Sequence, residues 1–127
     1  MAHPSDRVYS KEHEWVKVDG DVATIGISEF AQDQLGEVVY VDLPSEGDAL
    51  AAGDSFGEIE SVKSVSELIA PVSGEIIEVN DSLGDSPETV NADAHGAGWM
   101  VKVRFTDESE LDALLSGEDY DAFITEA

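Results

Sequence analysis

Few side chains in this 127-residue sequence are equipped for chemistry, and the stretch that stands out is Gly57-Glu58-Ile59-Glu60-Ser61-Val62-Lys63-Ser64-Val65-Ser66. The chain has no cysteine, which excludes disulfides, thiolate nucleophiles and thiolate metal sites. Redox chemistry must then come from something attached. His3, His13 and His95 lie far apart, and on a strand Glu12-His13-Glu14 would point its side chains to alternate faces, so no metal site is expected. Gly96-Ala97-Gly98 lacks the strand-to-helix context of a phosphate-binding loop. No Ser/His/Asp set stands at a recognisable spacing, and no catalytic residue is assigned. Lys63 remains, one of four lysines with Lys11, Lys17 and Lys102. An amine at the tip of a tight turn is open to a modifying enzyme. The plain alternative is a solvated turn lysine held among Glu58, Glu60 and Glu67.

The elements that must hold Lys63 are mostly strands. Residues 55–60 and 64–70 alternate apolar and polar side chains on either side of it, until Pro71, which cannot donate to a ladder. Upstream, residues 7–18 read as one strand ending at Asp19-Gly20, a dipeptide suited to a type I′ hairpin turn, with residues 21–27 returning. Ser28 offers an N-cap to a helix over 29–35, with Gly36 as its stop. Residues 37–43, 75–79 and 98–105 read as further strands. The turns between them fall at 44–48, 52–54 and Ser73-Gly74. Residues 80–98, rich in Asp, Ser, Gly and Asn, read as a surface loop. Thr106 or Asp107 caps a helix through Leu115, Gly117 breaks it, and residues 118–125 form a second. Many short strands with frequent turns predict a β-sandwich or barrel.

Composition sets the outer bounds. A chain of this length, 42% hydrophobic, suits one domain over 1–127, its β part about 7–105 and a helical segment about 106–125. No apolar run approaches a membrane span, and the first residues lack the apolar segment of a signal peptide, so a cytoplasmic protein with no membrane association is expected. Acidic residues number 29 against 6 basic ones, a net charge of −23 that repels phosphate backbones and makes nucleic acid a poor partner. The acids are spread from Asp6 to Glu126, which favours adaptation of the whole surface to concentrated salt over a single docking patch. A halophilic prokaryote is the expected source.

The stretch around Lys63 resembles the lipoylation site of the H proteins of the glycine cleavage system. The likeness runs over about 8–123. It includes His13-Glu14-Trp15-Val16, Ala23-Thr24-Ile25-Gly26-Ile27, Ala31-Gln32-Asp33 with Leu35-Gly36-Glu37-Val38-Val39, Pro71-Val72-Ser73-Gly74-Glu75 and Gly98-Trp99-Met100. The resemblance implies a mainly β, lipoyl-type barrel-sandwich hybrid with a short internal helix and C-terminal helices, built from two half-barrels related by a pseudo-twofold. It implies lipoic acid in amide linkage to Lys63, on a non-catalytic carrier. Such a carrier takes the aminomethyl group of glycine from the pyridoxal-phosphate-dependent glycine decarboxylase (P protein) to the tetrahydrofolate-dependent aminomethyltransferase (T protein), and electrons to dihydrolipoyl dehydrogenase (L protein). A lipoate-attaching enzyme is a further implied partner.

By the same resemblance, Glu12, Glu14, Ile27, Gln34 and Glu67 would wall a cleft for the lipoyl arm, with Glu14 as the anionic partner of the aminomethyl ammonium. Three places depart from the pattern: Glu12 stands where a small residue is common, Glu67 replaces the more usual Asp, and Ala94-His95 replaces a frequent Pro-Tyr pair. Val62 and Ser64 flank Lys63 where biotin carriers resemble Met-Lys-Met. One rival reading is an H-like relay that donates lipoyl groups to other dehydrogenases. Another, a lipoyl domain of a 2-oxoacid dehydrogenase, is disfavoured by the extra N-terminal strands and C-terminal helices.

Overall fold

The computed structural model describes residues 3–126. In chain order its elements are β1 (Val8–Tyr9), β2 (Glu14–Asp19), β3 (Val22–Ile27), α1 (Glu29–Leu35), β4 (Val38–Asp42), β5 (Ala49–Leu50) and β6 (Ser55–Ser61). Then come β7 (Val65–Ile69), β8 (Gly74–Val79), α2 (Ser82–Asp85), α3 (Thr89–Ala92), β9 (Val101–Phe105), α4 (Ser109–Asp112) and α5 (Gly117–Glu126). The fold is mainly β, with the short internal helix and the C-terminal helices that were expected.

The strands form two antiparallel sheets, one ordered β1-β2-β3-β9-β8-β5 and one ordered β4-β6-β7, and their hydrogen bonding does not close into a single barrel. Alternation along each strand turns one face inward, so Val16, Ile25 and Val103 of the large sheet meet Val41, Ile59 and Leu68 of the small one in a shared core. Outside the large sheet, Trp15 points away from that core and packs with Tyr9 and Tyr120, with Trp99 and Phe123 at the edges. Gly26, opposite Trp15 in the ladder, makes room for the indole: a Cβ there would lie 2.7 Å from the ring.

Five expectations need correction. Residues 7–18 are two strands, because the chain reverses at Ser10: His13 takes a φ of 74°, and its N–H donates to the Ser10 carbonyl at 3.0 Å. No glycine or proline marks this turn, so the alternating pattern runs straight through it. The next hairpin closes at Asp19↔Val22, leaving Gly20-Asp21 as its loop with positive φ only at Gly20 (66°), the pattern of a type II′ turn. The presumed loop 80–98 holds two single helical turns, α2 and α3, which bury Leu83 and Val90 in the core. Finally, α4 stops at Asp112 because Leu115 exchanges two 2.7 Å backbone hydrogen bonds with Tyr9, which a continuing helix would forbid. Gly117 opens α5 instead of breaking a helix, with the Ser116 hydroxyl accepting the Asp119 N–H at 3.1 Å.

Candidate functional site

Lys63 is the middle of the three residues, 62–64, that connect β6 to β7, strands that pair as far as Glu60↔Val65. Ser61 organises that connection. Its N–H donates to the Ser64 carbonyl at 2.8 Å, and its hydroxyl accepts the N–H groups of Lys63 (3.3 Å) and Ser64 (3.1 Å). A serine hydroxyl taking local amides in this way stabilises a turn at the expense of further ladder. Val62 donates its N–H to the Glu37 carbonyl at 3.0 Å, which ties the tip to the chain just beyond α1. The Lys63 side chain is exposed and its stem passes over Gly36, whose φ of 81° ends α1; a Cβ there would lie 3.2 Å from Lys63 Cε. The expected carboxylate cradle is not made. Among the described residues no acid lies within ion-pair distance of Lys63. Glu58 and Glu67 face each other across β6 and β7, and Asp42 continues the row on β4.

Beside this turn opens a cleft of about 520 Å³. β7, the edge strand of the small sheet, forms one wall with Val65, Glu67 and Leu68; α1 forms the other with Phe30, Gln34 and Leu35. Glu12 comes from the turn before β2, Glu14 from the start of β2 and Ile27 from the end of β3, so all five residues named from the resemblance lie on this cleft. It also takes in His13 and Phe123. The helix α1 was legible from its cap at Ser28 and its stop at Gly36, although nothing in that reading said which face meets the cleft. Phe123, about ninety residues further on, gave no local signal.

The α1 wall is fixed at both of its ends. Ser28 Oγ accepts the Ala31 N–H at 3.1 Å and contacts the Tyr120 hydroxyl at 2.7 Å, and that hydroxyl in turn lies 2.7 Å from His13 Nδ1. At the other end of α1, the Asn91 side-chain amide donates to Gln32 Oε1 (2.9 Å) and the Gly36 carbonyl (2.7 Å), while its oxygen accepts the Val38 N–H at 2.8 Å. Asn91 thus locks α1 to β4, a role that its place in an apparent loop concealed.

Glu14 is the chemically distinctive group of the cleft. It is only 2% exposed, with Ser10 Oγ donating to Oε1 at 2.7 Å and the Ile69 N–H reaching Oε2 at 3.4 Å. Burial disfavours its charge and outweighs these hydrogen bonds, raising its pKa to about 8. With no cation paired to it among the described residues, Glu14 is held well above the usual carboxylate range, so the empty cleft favours its protonated form. A cationic amine entering the cleft meets a group able to give up its proton and pair with it. The remaining lining is largely apolar, and no set of three or more metal-ligating side chains gathers among the described residues.

Comparison with known proteins gives concordant results. The model of the family described as "Glycine cleavage H-protein" matches residues 7–127. A protein of Carboxydothermus hydrogenoformans (strain ATCC BAA-161 / DSM 6008 / Z-2901), named "Glycine cleavage system H protein", is 54% identical over 123 residues, which covers 97% of this chain and 95% of that one. The crystal structure of a glycine cleavage system H protein from Mycobacterium marinum superposes with a TM-score of 0.89 at 41% identity, covering 96% of this chain and 98% of the other.

Proposed function

Since the chain belongs to the glycine cleavage H-protein family, we infer that it is the lipoyl-carrying, non-catalytic subunit of the glycine cleavage system and that Lys63 is the attachment point. The observation that carries the assignment of Lys63 is its place on an exposed, serine-braced turn that runs directly into the cleft through Ser64 and Val65. An acylated Lys63 loses its charge, which costs the turn no ion pair, since among the described residues no acid pairs with that amine. The bound lipoyl group supplies the sulfur that takes up the aminomethyl cargo and the disulfide that is consumed in doing so. The chain's own residues shelter that cargo. Phe30, Leu35, Val65 and Leu68 keep water from the arm, and Glu14 exchanges its proton for an ion pair with the cargo's ammonium. Glu12, Gln34 and Glu67 line the polar margin of the cleft, and Ile27 packs on its inner wall.

The partners that follow are the P, T and L proteins and a lipoate-attaching enzyme. We place the protein in the cytoplasm as one domain over 1–127. Among the described residues no helix is long and apolar enough to cross a membrane. The acidity of its surface suits a halophilic prokaryote. The direct test is mass spectrometry of protein expressed with its lipoylating enzyme. A single lipoyl adduct is expected on the peptide containing Lys63, and Lys63→Arg is expected to fold and remain unmodified. Lipoate on Lys11, Lys17 or Lys102 would overturn the assignment.

A further inference from the structure

We propose that His3 and His95 are positioning residues for the arm cleft: two neutral imidazoles that hold the first turn of α1, and with it the Phe30–Leu35 wall, although neither lines the cleft. The proposal rests on the cleft reading above.

The first three amides of α1 are each met by a side chain. The Glu29 N–H donates to His95 Nε2 at 3.3 Å, the Phe30 N–H to His3 Nε2 at 3.3 Å, and the Ala31 N–H to Ser28 Oγ. The serine is an ordinary cap, but the imidazoles come from sequence positions 27 and 66 residues away. The His3 side chain is fully buried, and its Nδ1 lies 2.6 Å from Asp121 Oδ1 of α5. A carboxylate only accepts, so Nδ1 carries the proton and the neutral ring leaves Nε2 free to receive the Phe30 amide. Asp121 also accepts the His3 backbone N–H at 3.2 Å, which fixes the residue at both ends.

His95 is packed with equal care. Its ring lies edge-on to His3 (5.5 Å) and Tyr9 (6.3 Å) and tilted to Trp15 (6.4 Å). Arg7 donates to its carbonyl at 2.7 Å while stacking over Trp15 at 4.6 Å. The titratable groups around the pair are Arg7 and Asp6 of the N-terminal segment, Tyr9 of β1, Glu29 of α1, Asp93 beside α3, and Tyr120 and Asp121 of α5. Burial first, and then the charge of Arg7, hold the His95 ring neutral down to about pH 4.

An imidazole accepts an amide hydrogen only while neutral. Protonating His95 removes the acceptor and sets a cation against amides that already carry partial positive charge. The cleft wall is therefore held at neutral pH and freed in acid, and the residues that hold it include the segment before β1 and the last helix. One sequence mark fits: His95 is among the positions at which the chain departs from the pattern it resembles.

The test uses lipoylated carrier, unloaded and loaded with the aminomethyl group. Amide NMR of the unloaded form follows Glu29 and Phe30 with pH, and ammonia release from the loaded form is timed alongside. In the native protein the Glu29 amide is expected to titrate in the acid range, with release accelerating over the same range. At neutral pH, His95→Phe removes the acceptor and is expected to speed release about fivefold, the effect of one lost hydrogen bond, while His95→Gln supplies a neutral acceptor and restores release to within about twofold of native. Glu14→Gln serves as the control on the cleft itself. If it accelerates release and the two His95 variants behave alike, the positioning role is wrong and the cleft reading stands. If Glu14→Gln has no effect, the cleft reading falls and takes this proposal with it. Should His95→Phe not fold, the native protein decides: a Glu29 amide that fails to titrate with the change in release overturns the proposal.

Discussion

At the scale of the residue, Glu14 shows how burial sets the state in which a carrier waits. A carboxyl that is raised from 4.5 to about 8 on folding binds a proton over that whole interval while the unfolded chain does not. The stabilisation is complete below pH 4.5 and is lost as pH rises through 8. For the empty carrier, unfolding free energy should thus decline between pH 5 and 8 by up to about 1.4 kcal/mol per pH unit from this group alone. Urea titrations of the native protein and of Glu14→Gln across that range measure the difference. The glutamine is expected to flatten the decline, and parallel curves would show that the group ionises freely where it stands. The same substitution should hasten loss of the aminomethyl cargo about tenfold, since a partly shielded charge pair is worth roughly 1–3 kcal/mol. His95 works in the opposite sense. Its pKa is depressed, so its contribution is present above pH 6.5 and is lost as pH falls towards 4.

At the scale of the element, the small sheet carries an evident electrostatic burden. Asp42, Glu58 and Glu67 stand directly opposite one another on β4, β6 and β7, all exposed, with no cation paired to any of them among the described residues. Like charges in directly opposed positions oppose pairing. Glu58→Lys, in the middle of the row, replaces two repulsions by two attractions and should stabilise the protein by about 1 kcal/mol in dilute buffer. Melting curves would show that gain, and it should vanish at high salt; a gain that persists there would arise from packing instead. The hairpin of β6 and β7 was legible because its alternation is local, and so was α1, bounded by Ser28 and Gly36; the pairing of β4 with β6 was not. What escaped was determined at a distance. The reversal at His13 is imposed by pairing with β1, α4 is cut short by the bridge between Tyr9 and Leu115, and Asn91 acts on a helix over fifty residues away. Lys63 stood out by its neighbours in sequence. The cleft residues were suggested by resemblance, whereas Phe123 is joined to them only by the fold.

At the scale of the molecule, charge dominates. With 29 acids against 6 bases, folding gathers like charges onto one small surface, and this self-repulsion opposes the compact state. Local pairing offers little relief. The described residues form four Arg or Lys ion pairs, two of them sharing Asp6. Screening can supply what pairing does not. The Debye length falls from about 30 Å at 0.01 M salt to about 3 Å at 1 M, shorter than the spacing of most exposed carboxylates. Because the acids are distributed instead of clustered, the relief should be global: a few kcal/mol, or about 10 °C or more in melting temperature for a domain of this size. Circular dichroism melts from dilute buffer to molar KCl measure it directly. Choline chloride in place of KCl gives the same screening, so a matching rise identifies the effect as ionic strength and not specific potassium binding. A melting temperature that stays level across the series, with full stability in dilute buffer, would mean that the acids serve a basic docking partner rather than a saline cytoplasm.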